Sequence, residues 1–385
     1  MQPRDLSAHA TYEAGRGIEE VARELGRDPA SFVTLSSNEN PHGPAPAAVE
    51  ALREAAETAS DYPKAAHADL TDALADRWDV SSGQIWLGNG GDGAIDYLSR
   101  AMLDPGDAVL VPKPGFAYYA MSTRFHHGTL DAYVLSKDRD FAQDPDSILG
   151  TYDGERIVYL TSPHNPSGTT MSLDAIERLA DGTSDRTLVV VDEAYGEFAE
   201  TDSAVALIEG RKGFDAREDV AVIRTFSKAY GLAGVRLGYA VVPDAWADAY
   251  ARVNTPFAAS ELACRAGLAA LEDAEHVEMT VESVRWAREH LATRVEAPAW
   301  PSEGNFVLFD VGDGAGVASD LQERGVIVRD CTSFGLPGCI RVTCGTESET
   351  KRAAEAINAV LDARDPTPDR GDAGGAATDR EVNES

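Results

Sequence analysis

Between residues 84 and 242 short apolar runs recur with helical stretches between them, and this alternation restricts the fold more than any other feature. The runs at 156–160, 187–191 and 220–225 are nearly uninterrupted apolar segments of strand length. Strand, helix and strand in regular succession imply an α/β domain with a mostly parallel sheet flanked by helices. Each run ends in polar residues: Thr161-Ser-Pro-His-Asn-Pro-Ser-Gly168 after the first, Asp192-Glu-Ala-Tyr195 after the second, Ser227-Lys228 after the third. Open α/β sheets bind ligands just past the carboxyl ends of their strands. Asp192 is the most telling of these residues, because a carboxylate closing a buried strand is costly unless something pairs with it.

Lys228 is one of only six lysines, in Thr225-Phe-Ser-Lys-Ala-Tyr-Gly-Leu-Ala-Gly-Val-Arg-Leu-Gly-Tyr239. A lysine that forms an imine needs a lowered pKa, and a phosphorylated cofactor needs a cation to hold it. Arg236, eight positions on, suits the second task, since its fork can bind two phosphate oxygens. Gly88-Asn-Gly-Gly-Asp-Gly93 lies between an expected strand, 84–87, and an expected helix, 94–102. Glycines there let a phosphate approach backbone N–H groups at a helix start. The spacing is also a literal GxGxxG, but a dinucleotide site wants an acid at the end of the next strand. That strand, 108–111, ends in Pro112-Lys-Pro114, so a single phosphate fits better. Phe116, Tyr118 and Tyr119 offer an aromatic to stack on a flat ring, or simple core packing. Asn165, between two prolines, reads as a rigid hydrogen-bond donor or as an ordinary turn. Lysine, buried aspartate, glycine turn, aromatic and arginine together point to pyridoxal 5'-phosphate (PLP).

A length of 385 residues suggests a large domain and a smaller one. Residues 1–35 are expected to form an arm, with a helix over 17–25, packing on the small domain or a partner subunit. Residues 36–250 would be the large PLP-binding domain, with helices over 46–59 and 68–78. Residues 251–363 would be a small α+β domain. It opens with a helical stretch from Ser260 that breaks near 272–275 and holds strands at 305–311, 326–329 and 339–343. Thr346-Glu-Ser-Glu349 forms a capping box before the last helix. Residues 364–385, without periodicity, are expected to be disordered.

Acidic residues number 65 against 34 basic ones, a net charge of −31. This argues against nucleic acid or an anionic membrane as partner. The excess is spread along the chain and arginine far outnumbers lysine, as in proteins of a salt-loaded cytoplasm, where molar salt screens charges to within a few ångströms. Weaker folding at low salt is then expected; an ordinary acidic enzyme is the alternative. No run of about 18 apolar residues suggests a membrane span, and Met-Gln-Pro-Arg-Asp at the start resembles no signal peptide. A cytoplasmic location is expected. The four cysteines show no metal-binding spacing and are expected to be reduced and mostly buried. His126-His127 reads as a solvated pair pointing apart on a strand, so no metal site is expected.

These motifs resemble the class I/II aminotransferases of PLP fold type I, and within them the histidinol-phosphate aminotransferases. The likeness covers roughly residues 5–362. It is carried by Ser37-Asn-Glu-Asn-Pro, Tyr62-Pro, Gly88-Asn-Gly-Gly-Asp, Pro114-Gly-Phe, Ser162-Pro-His-Asn-Pro-Ser-Gly, Val191-Asp-Glu-Ala-Tyr, Thr225-Phe-Ser-Lys, Gly325-Val-Ile-Val-Arg and Ile340-Arg-Val-Thr-Cys-Gly-Thr. The resemblance implies that Lys228 carries PLP and shuttles a proton, and that Asp192 holds the pyridinium proton. Asn165 and Tyr195 would bond the ring O3' and Phe116 would stack on the ring. The N–H groups of Gly91 and Asp92, with Thr225, Ser227 and Arg236, would bind the cofactor phosphate. Tyr62 would reach the cofactor phosphate of a neighbouring subunit, which implies a homodimer with shared active sites. Arg341 would bind the carboxylate of glutamate or 2-oxoglutarate. Arg329, Arg341 and Tyr12 would bind the phosphate of histidinol phosphate, with Asn38 also at the substrate. The family usually has an acid where this chain has Gly93, which puts the stiffness of the helix start in doubt. A threonine-phosphate decarboxylase or a broad aromatic or aliphatic aminotransferase on the same fold is the alternative.

Overall fold

The computed structural model describes residues 6, 7, 9, 11, 16–63 and 65–364. Eleven strands are found among them: β1 (Val33–Leu35), β2 (Ile85–Asn89), β3 (Ala108–Lys113), β4 (Thr129–Val134), β5 (Ile157–Thr161), β6 (Leu188–Asp192), β7 (Val220–Thr225), β8 (Leu237–Val241), β9 (Phe306–Asp310), β10 (Val326–Asp330) and β11 (Cys339–Thr343).

Seven strands form one sheet in the order β2-β8-β7-β6-β5-β3-β4. Only β8 runs against its neighbours; the pairs from β7 to β4 are all parallel. The apolar runs are its central strands because both faces are covered. Val158, Leu160, Val189, Val191 and Val222 pack into the core on one side. Ile157, Tyr159, Leu188, Val190, Ala221 and Ile223 pack into the core on the other. This is the period-2 pleat, and each fully buried aliphatic contributes about 1.5–3 kcal/mol.

A second, four-stranded sheet has the order β1-β10-β11-β9. Its strand β1 comes from the N-terminal segment, pairing parallel with β10 through Val33↔Val326 to Leu35↔Val328. The chain therefore passes from this small sheet into the large one through residues 36–44, and that passage crosses the mouth of the cavity at the strand ends.

The helix-rich stretch from Ser260 divides in two. Glu261–Glu272 packs on the helices Pro46–Ala56 and Ala65–Trp78, while Ala274–Arg294 packs on β9 and the last helix, Glu347–Arg364. Asp273 caps the second half through the N–H of His276. The Thr346–Glu349 capping box forms in both directions. Arg364 closes the last helix, and the remainder of the expected tail lies outside the described residues.

Two expectations need correction. The helix after β2 starts at Gly90, not at residue 94, so the glycine turn is its first turn. His126 and His127 lie at the C-terminus of the helix Ala117–Phe125 rather than on a strand, with His127 at φ 62°. His126 comes within 3.8 Å of Asp96. All four cysteines are free and buried.

Candidate active site

The ends of β5, β6 and β7 meet β10 and β11 of the small sheet around a cavity of about 550 Å³. Its floor is Asp192, the last residue of β6. The Asp192 Oδ2 accepts a 2.6 Å hydrogen bond from the Tyr119 hydroxyl, and Oδ1 accepts from the N–H of Ala194 at 3.0 Å. Burial pushes the Asp192 carboxyl up to about 6, partly opposed by these two donors. Tyr119 is fully buried, stacked on Tyr159 at 4.4 Å, and also bonded to Thr161 Oγ1 at 2.9 Å.

Lys228 follows β7. Its Nζ donates to the carbonyl of Ser37 at 3.2 Å. Burial, and then the nearby charge of Arg341, lower its amine to about 8, with Glu39 acting in the opposite sense. A lysine in this range is neutral, and so nucleophilic, in about a tenth of molecules at pH 7.

Beside Lys228 lies a cradle for an anion. The helix Gly90–Met102 presents the backbone of Gly91 and Asp92 to the cavity, opposite the hydroxyls of Thr225 and Ser227. Strand β8 runs so close that a Cβ on Gly238 would lie 2.5 Å from the nitrogen of Gly91, which only glycine avoids. Arg236 holds φ 58° and reaches across to Asp92, Nη2 to Oδ2 at 3.0 Å. Gly93 sits in the first helical turn, where a Cβ would stand 3.1 Å from the carbonyl carbon of Gly88.

The opposite end of the cavity is cationic. Arg329 on β10 and Arg341 on β11 are directly cross-strand partners. Like charges in that position repel unless an anion lies between them or each has other partners. Arg341 is buried and donates to Asn165 Oδ1 at 2.5 Å and to the carbonyl of Ser36 at 2.8 Å. Arg329 donates to Ser333 Oγ at 2.9 Å. Asn38 donates from Nδ2 to the Tyr195 hydroxyl at 3.0 Å.

Of the residues expected at the site, Asn38, Gly91, Asp92, Phe116, Asn165, Asp192, Tyr195, Thr225, Ser227, Lys228, Arg236, Arg329 and Arg341 all line this cavity. Tyr62 does not: it is 71% exposed and stacks on Phe257, itself 47% exposed, at 4.5 Å. Tyr12 lies outside the described residues. The sequence offers Tyr119 only as a stacking or packing aromatic, and its bond to Asp192 has no sequence signal beyond its nearness to Phe116. Glu39, also on the cavity wall, has none.

These residues fit PLP. An aldehyde suits the depressed amine of Lys228, and a phosphate suits Arg236 with the glycine-lined helix start. A ring N–H suits Asp192, whose bonding partners among the described residues are a hydroxyl and an amide rather than a cation.

Comparison with known proteins agrees with this chemistry. The family model "Aminotransferase class I and II" matches residues 30–357. A histidinol-phosphate aminotransferase of Natronomonas pharaonis is 67% identical over 361 residues, covering 94% of this chain and all of the relative. That of Halobacterium salinarum is 62% identical over 365 residues, with 94% and 100% covered. Among solved structures, histidinol-phosphate aminotransferase from Sinorhizobium meliloti in complex with PLP superposes with a TM-score of 0.79 at 27% identity, covering 91% of this chain and 96% of the other. A Thermus thermophilus aspartate aminotransferase mutant gives 0.80 at 26%, with 94% and 100% covered. The chain belongs to the class I and II aminotransferase family, the PLP-dependent enzymes of fold type I.

Proposed function

We propose that this protein transfers the amino group of L-histidinol phosphate to 2-oxoglutarate, giving imidazole acetol phosphate and glutamate in histidine biosynthesis. The observation that carries the reading is the cross-strand pair Arg329 and Arg341 facing Lys228 in one cavity. Two adjacent guanidinium groups suit a phosphate dianion and serve equally for a carboxylate. Relatives 60–67% identical over nearly the whole chain bear this enzyme's name.

When bound, PLP supplies an aldehyde to carry the amine and a ring that accepts the electrons left at the substrate Cα. The chain supplies the rest. Lys228 would hold the aldehyde and, once displaced, its Nζ would take the Cα proton as general base and deliver it as general acid to the carbon that had been the aldehyde, so that the amino group stays on the cofactor. The Asp192 carboxylate holds the proton on the ring nitrogen, and Tyr119 steadies that carboxylate. Asn165 and Tyr195 would bond the ring hydroxyl, and Phe116 would cover the ring face. Gly91, Asp92, Thr225, Ser227 and Arg236 hold the phosphate. Arg341 takes the substrate anion with Arg329 and Asn38, and Tyr12 is assigned there by resemblance alone.

The functional unit is a homodimer in this reading. Tyr62 stands outside its own cavity, exposed beside Phe257, where it suits contact with a second copy. Residues 36–250, joined by Glu261–Glu272 packed on their helices, act as the cofactor domain. A cytoplasmic location, with small molecules rather than nucleic acid or membrane as partners, fits the acidic composition and the free thiols.

One assay tests the function. Purified protein in molar salt is given histidinol phosphate and 2-oxoglutarate, and glutamate is followed together with the cofactor absorbance. Parallel lines in double-reciprocal plots are expected, the mark of a ping-pong reaction. No glutamate, with carbon dioxide released from threonine phosphate instead, would move the chain to the lyase.

A further inference from the structure

We infer that Glu39 is a specificity-determining residue, its carboxylate pairing with the imidazole of histidinol phosphate and opposing the side-chain carboxylate of glutamate. The inference rests on the function proposed above.

Among the described residues three carboxylates line the cavity: Asp92, Asp192 and Glu39. The first is held by Arg236, and the second by Tyr119 and the Ala194 amide. Glu39 is exposed and makes no hydrogen bond or ion pair with another described residue. It is near enough to Lys228 to act on its charge. The cations divide without it: Arg236 serves the cofactor phosphate, and Arg329 and Arg341 serve the substrate anion. Once the substrate amine takes the place of Lys228 at the cofactor, the imidazole is the group of histidinol phosphate left to meet an acid.

The backbone holds Glu39 where it is. Asn38, just before it, has φ 54°, a left-handed conformation that asparagine takes more readily than other residues with a side chain. Four hydrogen bonds impose it. The Asn38 N–H donates to Thr343 Oγ1 at 3.0 Å and its Nδ2 donates to Tyr195 at 3.0 Å. Its Oδ1 accepts from Thr343 Oγ1 at 3.1 Å, and its carbonyl accepts from Asn305 Nδ2 at 3.0 Å. On the other side, Asn40 Nδ2 donates to the carbonyl of Ala229, next to Lys228, at 2.9 Å. A left-handed residue held by so many bonds, next to a carboxylate that lines the cavity, marks a positioned group. Both flanks are tied to the lysine and to the small sheet, so Glu39 cannot drift from the wall.

The consequence is a crossed effect. Histidinol phosphate brings a ring that is cationic below about pH 6.5, the ordinary imidazole range. Glutamate brings a second carboxylate to the same region. Removing the charge at residue 39 should weaken one substrate and strengthen the other, which loss of packing cannot do.

The test measures the two half-reactions separately on the holoenzyme, for wild type, Glu39→Gln and Glu39→Asp. Glu39→Gln should raise KM for histidinol phosphate about fivefold and lower KM for glutamate by about twofold, the size of a solvent-facing ion pair. Limiting rates should change by less than about twofold. The wild type's advantage with histidinol phosphate should grow as pH falls through the imidazole range; in Glu39→Gln that growth should vanish, and Glu39→Asp should restore part of it. KM values rising together for both substrates, or not moving, would overturn the inference while leaving the function intact. A wild type inert toward histidinol phosphate would instead overturn the function reading, and this one with it.

Discussion

Two cavities of nearly equal volume, about 550 and about 500 Å³, are built from successive residues of the same strand ends. Thr161, Asp192 and Thr225 face the first; Ser162, Glu193 and Arg224 face the second. Neighbouring residues leaving a strand point to opposite sides, so one step along the chain separates two kinds of charged site. On the second side Arg224 is buried between Glu193 and Glu197, 2.6 Å from each, and lies over Trp78 at 4.9 Å. Despite burial its two acid partners hold the guanidinium's pKa well above the ordinary arginine value. On the first side the opposite holds: burial drives Asp192 up to about 6 and Lys228 down to about 8. Charges that the fold pairs internally are locked on. Charges left for a ligand to complete are shifted toward neutrality, as groups at functional sites commonly are.

The strongest way to break this contrast is at Lys228. Lys228→Ala should lower turnover by about four orders of magnitude or more, since both the covalent anchor and the general base are lost. It should still bind PLP through the phosphate cradle. Borohydride treatment of the loaded wild type should label residue 228, and of the variant nothing. The rate at which the apoprotein takes up PLP, followed as imine absorbance, should rise with pH around a midpoint near 8, because the reactive amine is the neutral form above its pKa. A midpoint near the ordinary lysine value, about 10.4, would mean that burial does not prepare this amine.

The second cavity gives the converse case. Arg224→Met should leave two buried acids without their cation and cost about 3–5 kcal/mol of stability. The acids would then titrate upward, and a folded-state pKa raised in a carboxyl means stability lost as pH rises. The variant should be weakest above neutrality and recover toward acid, read as denaturant midpoints across pH in molar salt. An equal loss at every pH would mean that Arg224 contributes packing on Trp78 rather than charge.

Much of this is legible in the sequence because it depends on periods and ends. Strands buried on both faces must be apolar throughout, so β5, β6 and β7 are readable, and the polar residues just past each end are readable as site. Asp192 and Lys228 stand out as polar residues where burial makes them costly. The start of the helix after β2 reads four residues late. Glycines argue locally against helix, yet here Gly88 and Gly238 let the first turn pack tightly against β8. Which half of the helical stretch after Ser260 serves which core is also invisible, since both halves carry apolar residues at helical spacing and only tertiary contact chooses. Glu39 looks like any solvated acid; its meaning comes from the pinned backbone of Asn38, which involves Thr343 and Asn305, about 300 and 270 residues away.

Tyr119 sharpens the contrast on the smallest scale. Its hydroxyl is 2.6 Å from Asp192 Oδ2, and a hydrogen bond to an ionised acceptor favours the ionised form. Tyr119 therefore restrains the shift that burial imposes on Asp192 without abolishing it. Tyr119→Phe removes the donor and keeps the ring stacked on Tyr159. The Asp192 carboxyl should then rise further, by about one unit, the scale of a hydrogen bond to a charged group. Ionised Asp192 is the form that pairs with a ring N–H, so affinity of the apoprotein for PLP should fall below a break near pH 6 in the wild type. In Tyr119→Phe that break should move upward, costing about twofold in affinity at about pH 7, about fivefold at about pH 6 and little at about pH 8.5, where both carboxyls are ionised. A uniform loss across pH would assign Tyr119 to packing alone. A break that moves while the plateau at high pH stays fixed would show that the fold tunes the acid on this side of the strand through one neutral donor, whereas on the other side it compensates its acids outright with Arg224.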